Sequence, residues 1–280
     1  MIKNKGIISA FAKIIIPLSY KSYLRVLLPQ TAEICTIPKS LPRSFQNNFK
    51  CLFFKRLYQI DEILKYASYA DKEKNNLLID VGFDPKGTTR VTTYPHTFEA
   101  DLECNPFSGI NDNGRFVKNC VHFIDKMADE LKGHKKMSDS LRFHNIVMIV
   151  HFVGDMHCPE HIRYYPEDMS IGKYDVTFEG KKTTMHKIWD SQLIAALHTG
   201  DQNDVAARID NCTKKEISRI TAGNTYDWAA DCAKTSKPVH DVPEGAVLDA
   251  AYAEQNRAIV EQQLRKAGYR LAKVLNKVLK

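Results

Sequence analysis

Two short segments carry the residue types that could do chemistry. The first is His151-Phe-Val-Gly-Asp155-Met-His157-Cys158-Pro-Glu160-His161, and the second is Met185-His186-Lys-Ile-Trp189-Asp190. In each, a His and an Asp stand four residues apart, a spacing that on a helix stacks both side chains on one face. Neutral imidazole and carboxylate suit zinc when water or a phosphate oxygen completes its shell. Two such pairs, with His161 just beyond the first, predict more than one metal.

Helices must position these groups. Leu141 to Val153 is apolar nearly all round and reads as a central buried helix, interrupted by His144, His151 and Asp155. A buried Asp without a partner is costly, so Asp155 needs a cation or several hydrogen bonds. Pro159 ends that helix or starts the next turn. Residues 115–132 carry Phe116, Val117, Cys120, Phe123, Ile124, Met127 and Leu131 on one helical stripe. Ile60, Ile63, Leu64 and Ala67 recur at helical spacing ahead of Asp71, and residues 75–114, which include His96, read as a long loop region. Tyr174, Val176 and Phe178 alternate with polar residues before Glu179-Gly180-Lys181-Lys182, predicting a hairpin. Helical pattern resumes at Met185, and residues 199–247 mix short helices with turns. The last helix is the clearest, with Val260, Leu264, Ala267, Leu271, Val274 and Val278 in one stripe. The expected fold is mainly α: one helical domain over residues 61–280 with one short β-hairpin.

The net charge of +7 is unevenly spread. Residues 1–60 hold ten Lys or Arg against the single acid Glu33, whereas the remainder is slightly acidic. A basic balance spread over the whole chain would have pointed to nucleic acid; an excess confined to one end says little about what the core binds. Residues 1–20 have a basic start and apolar content like a secretory signal, but Lys13 breaks the apolar region and no small-x-small cleavage site follows. The seven cysteines form no CxxC pair, which leaves buried thiols or one or two disulfides. No apolar run is long enough to span a bilayer.

The ordered set Ala-Ser-Tyr-Ala-Asp71, His96-Thr-Phe-Glu99, His151-Phe-Val-Gly-Asp155, Pro-Glu-His161 and His186-Lys-Ile-Trp-Asp190 resembles the S1/P1 nuclease family. The resemblance runs from about Tyr66 to the C-terminus. It implies the helical phospholipase C/P1 nuclease fold and a zinc-dependent phosphodiesterase that cleaves single-stranded DNA or RNA, with release of 3′-phosphate from nucleotides as an added activity. It also implies that Asp71, His96, His151 and Asp155 hold one zinc, that His161, His186 and Asp190 hold a second, and that Asp155 serves the cluster from its centre. Glu99 stands where the family orients the attacking water, and Lys74 where it stabilises the phosphate. Cys104 and Cys232 match positions that are disulfide-bonded in relatives, with two free buried thiols as the alternative. Single-stranded nucleic acid or nucleotides are the expected partners, and a secreted or periplasmic location is the expected setting.

The chain departs from the family upstream of Asp71. A Trp-Gly…Gly-His motif that completes a third zinc site belongs there, yet the first Trp is Trp189 and the first His is His96. Two zinc ions are therefore expected, and residues 1–60 read as an atypical segment in place of the family's own N-terminus. Two alternatives follow: a phospholipase C-like phosphoester hydrolase, or a metal-binding relic without activity. Among the remaining candidates, His144 and His157 read as supporting or core histidines, and Cys158 as a buried thiol by default with a soft metal ligand as the alternative. His122, His134, His198 and His240 read as surface or capping residues, and Trp189 as core packing rather than a base-stacking surface.

Overall fold

The computed structural model describes residues 94–110, 114, 116–166, 174–197 and 209–279. Asp71, Lys74, His198, the segment 1–60 and the helical run that follows Tyr58 lie outside them.

The central helix, α2, spans Asp139–Met156. It starts where Ser138 takes an extended conformation and its hydroxyl accepts from Leu141 N–H, and Asp139 places negative charge at the positive helix end. It stops at His157, whose N–H donates to the Gly154 carbonyl at 3.0 Å. Ile146 through Val153 are buried on every side, as an all-round apolar sequence requires. Two amphipathic helices cover it: α1, Cys120–Lys132, and α6, Ala250–Val278. The buried stripes of both are those read from the sequence, apart from the start of α1. Phe116 and Val117 precede that helix rather than belonging to it. Phe116 bridges to Ile110 and Asn119 bridges to Phe98, so these residues are held in extended pairing, and Asn119 then caps the helix by accepting from His122 N–H.

Two further elements decide where the site forms. The strands β1, Phe98–Ala100, and β2, Ile162–Tyr164, pair in parallel with Phe98 opposite Ile162. The helical segment after Met185 is not uniform. It begins as Met185–Lys187, capped by Thr184, widens into a π-helical turn at Ile188–Gln192, and continues as Leu193–Leu197; together these form α3.

The expected hairpin is present as β3, Asp175–Phe178, and β4, Lys181–Thr184. Its turn residues Glu179 and Gly180 have φ of +51° and +72°. Such a turn matches the right-handed twist of the strands and favours glycine at the second position. A short strand β5, Val247–Leu248, adds to β3 in parallel. Helices α4, Lys214–Ile220, and α5, Thr225–Ser236, each open with a capping box.

Arg270 of α6 is a buried hub. Its guanidinium donates to Asp231 at 2.6 Å, to the Ile220 carbonyl at 3.1 Å and to His157 Nε2 at 3.0 Å, and it lies over the Trp228 ring. His157 is thus structural, with Nδ1 donating to the Val153 carbonyl at 2.7 Å. His134 is buried and caps α1 by bonding the Leu131 carbonyl at 3.1 Å. The anticipated Cys104–Cys232 bridge is absent: both are free, buried thiols. Burial in apolar surroundings keeps each protonated, raising Cys104 and pushing Cys232 up to about 11. No helix among the described residues is long and apolar enough to cross a membrane.

Candidate metal centre

The last turn of α2 presents His151 and Asp155 on one face, with His151 Nε2 3.0 Å from Asp155 Oδ2. The segment leading into β1 lays His96 across them: its Nδ1 is 2.8 Å from His151 Nε2 and 2.9 Å from Asp155 Oδ2. Three atoms bearing electron pairs therefore converge within 3.0 Å of one another. Such crowding is favourable only when a proton or a cation is shared among them. A tetrahedral metal with bonds of about 2.0–2.1 Å spaces its ligand atoms roughly 3.3 Å apart, so this donor set fits one with small adjustment.

A second group lies on the other side of Asp155. After α2, Pro159–His161 forms a 3₁₀ turn that leads directly into β2. The β1–β2 pairing brings His161 against His96, and His161 Nδ1 donates to the His96 carbonyl at 2.9 Å. That bond fixes the tautomer, leaving the Nε2 lone pair for other work. Nε2 is buried, has no hydrogen-bond partner, and points at Asp190 Oδ1 from 3.5 Å. Asp155 Oδ1 is 3.6 Å from His161 Nδ1, so this carboxylate faces both groups. Cys158, His161 and Asp190 each offer a ligand atom within 4.8 Å of the others. His186 lies beside this set, its ring stacked on that of His161 with centroids 4.9 Å apart, and its Nδ1 is buried without a partner.

The electrostatics favour positive charge here. Burial alone would raise the Asp155 carboxyl, but the charges of His151 and His161 and hydrogen bonds from His151 and His96 hold it well below the usual carboxylate range. Burial would likewise lower His161, and the facing carboxylates Asp155 and Asp190 overcome it and raise the imidazole. His186 moves the other way, to about 4, because burial and the neighbouring His161 charge outweigh Asp190. Burial pushes Glu160 up to about 7, outweighing the opposing pull of the His161 charge.

Of the residues singled out from sequence, the structure gathers His96, His151, Asp155, His161, His186 and Asp190 in one place. Glu99 is buried in β1, three residues beyond His96 and opposite Arg163 of β2. Cys158, a free thiol, stands beside the gathered set; the signal for this is the Cys-x-x-His spacing to His161. A cavity beside the ligand groups is lined by His151, Asp155, Cys158 and Asp190 together with Trp189, Ile194, Val260 and Leu264. Trp189 is nevertheless anchored in the core, its indole N–H donating to the Tyr252 hydroxyl at 3.1 Å.

A helical fold with two adjoining His/Asp groups around one shared carboxylate defines a candidate multinuclear metal protein. The chain belongs to the S1/P1 nuclease family: the family model described as S1/P1 Nuclease matches residues 46–280. Endonuclease 2 of Arabidopsis thaliana is 25% identical over 201 residues, covering 65% of this chain and 67% of the relative. Nuclease P1 of Penicillium citrinum is 26% identical over 209 residues, covering 64% and 74% respectively. Nuclease S1 of Aspergillus oryzae is 26% identical over 148 residues, covering 44% and 50%. The mainly helical fold implied by the sequence resemblance is the fold observed, and the kinship makes the chain a nuclease-type phosphodiester hydrolase.

Proposed function

We propose that the chain is a zinc-dependent phosphodiesterase that cleaves single-stranded DNA or RNA and also releases 3′-phosphate from nucleotides. The observation that carries this reading is the convergence of His96 Nδ1, His151 Nε2 and Asp155 Oδ2 within 3.0 Å, with His161 facing the second oxygen of Asp155 from 3.6 Å. His96, His151 and Asp155 would hold one zinc, joined by Asp71 as the family resemblance implies. His161, His186 and Asp190 would hold a second. Zinc held by these residues would supply Lewis acidity, lowering the pKa of water towards neutrality and offsetting phosphate charge.

The chain's own residues set up that chemistry. Asp155 stays ionised across the working range and keeps the two groups in register. The His96 carbonyl holds His161 in the tautomer that presents Nε2. Trp189, Ile194, Val260 and Leu264 give the cavity an apolar wall. Glu99 is the proposed acceptor of the water's proton, and Lys74 the proposed point charge on the phosphoryl group. A phospholipase-like substrate would also suit an apolar wall, but the nuclease and endonuclease names of the relatives favour nucleic acid.

The test is a metal count on the purified full chain with matched cleavage assays. Single-stranded DNA, duplex DNA and a choline phospholipid are compared, with chelator added and zinc restored. Cleavage of the single strand that chelator abolishes and zinc restores supports the reading, with two zinc ions bound per chain. A folded, zinc-replete protein that leaves single strands intact refutes it.

A further inference from the structure

We propose that Cys158 is a thiolate ligand of the second metal, giving it a sulfur donor beside His161 and Asp190. The inference rests on the zinc reading above and adds a ligand to it. Cys158 caps the 3₁₀ turn Pro159–His161 from three positions before His161, and the turn brings its sulfur within 4.8 Å of ligand atoms of His161 and Asp190. Two backbone bonds fix the turn: Cys158 N–H donates to the Asp155 carbonyl and His161 N–H to the Cys158 carbonyl, both at 3.0 Å.

The π-helical turn Ile188–Gln192 supplies the third donor. His186 lies before that turn and Asp190 within it, so the wider turn changes the angle between them relative to a regular helix. His161 Nε2, buried and without a hydrogen-bond partner, faces Asp190 Oδ1 at 3.5 Å with the Cys158 sulfur close by. Cys158 also lines the cavity, so a metal arriving there meets the sulfur.

Burial and the nearby Asp190 charge hold the free thiol protonated, well above its usual range. Ligation reverses that balance. A sulfur–metal bond forms, the S–H bond breaks, and the proton leaves to solvent, with no change of oxidation state. Sulfur makes this position softer than an all nitrogen-and-oxygen set, favouring zinc and cadmium over magnesium or manganese.

The experiment uses the full chain stripped of metal and titrated with Co²⁺, with bound cobalt measured in parallel. A sulfur-to-cobalt charge-transfer band in the near ultraviolet is expected in the wild type. It should be lost in Cys158→Ser and retained in Cys212→Ser. Alkylation mapping at alkaline pH gives a readout independent of that variant's folding: iodoacetamide should modify Cys158 in the metal-free wild type and fail to do so once cobalt is bound. Cobalt binding without the band, a band that survives Cys158→Ser, or unprotected Cys158 in the cobalt form overturns the sulfur ligand while leaving the two-metal reading intact. Absence of cobalt binding in the wild type overturns the metal reading itself, and this inference with it.

Discussion

The Nδ1 of His161 donates a 2.9 Å hydrogen bond to the main-chain carbonyl of His96, so the backbone beneath one candidate ligand orients another. The two metal groups are therefore not independent pockets. They share Asp155 by its two oxygens and share His96 by its side chain and its backbone. Disturbing either group should be felt in the other.

Asp155→Asn tests the shared carboxylate most directly. The substitution keeps shape and removes charge from the centre of the ligand set. We expect a folded helical protein whose turnover on single-stranded DNA falls by more than the roughly 10–100-fold typical of supporting residues. Near-normal cleavage by the folded variant would contradict the central role of this side chain.

His186→Ala should reduce the bound zinc by about one ion per chain, because one donor beside His161 and Asp190 is removed. Elemental analysis against protein concentration measures this. An unchanged zinc content would remove His186 from the ligand set and leave it as a stacking partner of His161.

Acid stability should reflect His157. Burial first, and then the adjacent Arg270 charge, lower its folded-state pKa from 6.5 to about 3. Between those values the unfolded chain binds the proton that the folded chain refuses, so stability from this group is complete above pH 6.5 and declines as pH falls towards 3. His157→Gln should lower stability at neutral pH and flatten that decline. Urea midpoints from pH 7 to pH 4 decide it; parallel curves for the two proteins would show that His157 contributes nothing to acid sensitivity.

Arg270→Ala should destabilise the fold by about 3 kcal/mol, since it strips a charged partner from Asp231 and the donors that satisfy His157 and the Ile220 carbonyl. The cost is tempered because Lys266 still holds Asp231 at 2.8 Å. Chemical denaturation reads the change, and a loss below about 1 kcal/mol would mean that solvent replaces these bonds.

Much of this organisation was legible in the sequence because it is periodic or local. The all-round apolar run gave α2, and the stripe from Val260 to Val278 gave α6. Glu179-Gly180 gave the turn of the hairpin. The His151–Asp155 pair follows from four-residue spacing on a regular helix. The long-range pairing of β1 with β2 was not legible, since three-residue strands carry too little alternation to register and their partner is about sixty residues away. Without that pairing nothing in the chain says that His96 must meet His161. The π-helical turn escaped for a related reason: the residues Ile188 to Gln192 fit a regular helix equally well, and tertiary packing decides between them. What Cys158 faces was not legible either, because a buried thiol is the ordinary fate of a cysteine and only the 3₁₀ turn sets it beside His161 and Asp190.

The three-residue ladder of β1 and β2 has a kinetic consequence. His96 and His161 are 65 residues apart, so their meeting waits on closure of a long loop, whereas His151 and Asp155 are neighbours as soon as α2 forms. A refolding chain in the presence of zinc should capture metal first on the local pair and acquire its full ligand set only when the ladder closes. In the native state the same ladder is the natural place for the centre to come apart. Amide exchange at residues 98–100 and 162–164 should therefore accelerate on chelation, while the interior of α2 stays protected.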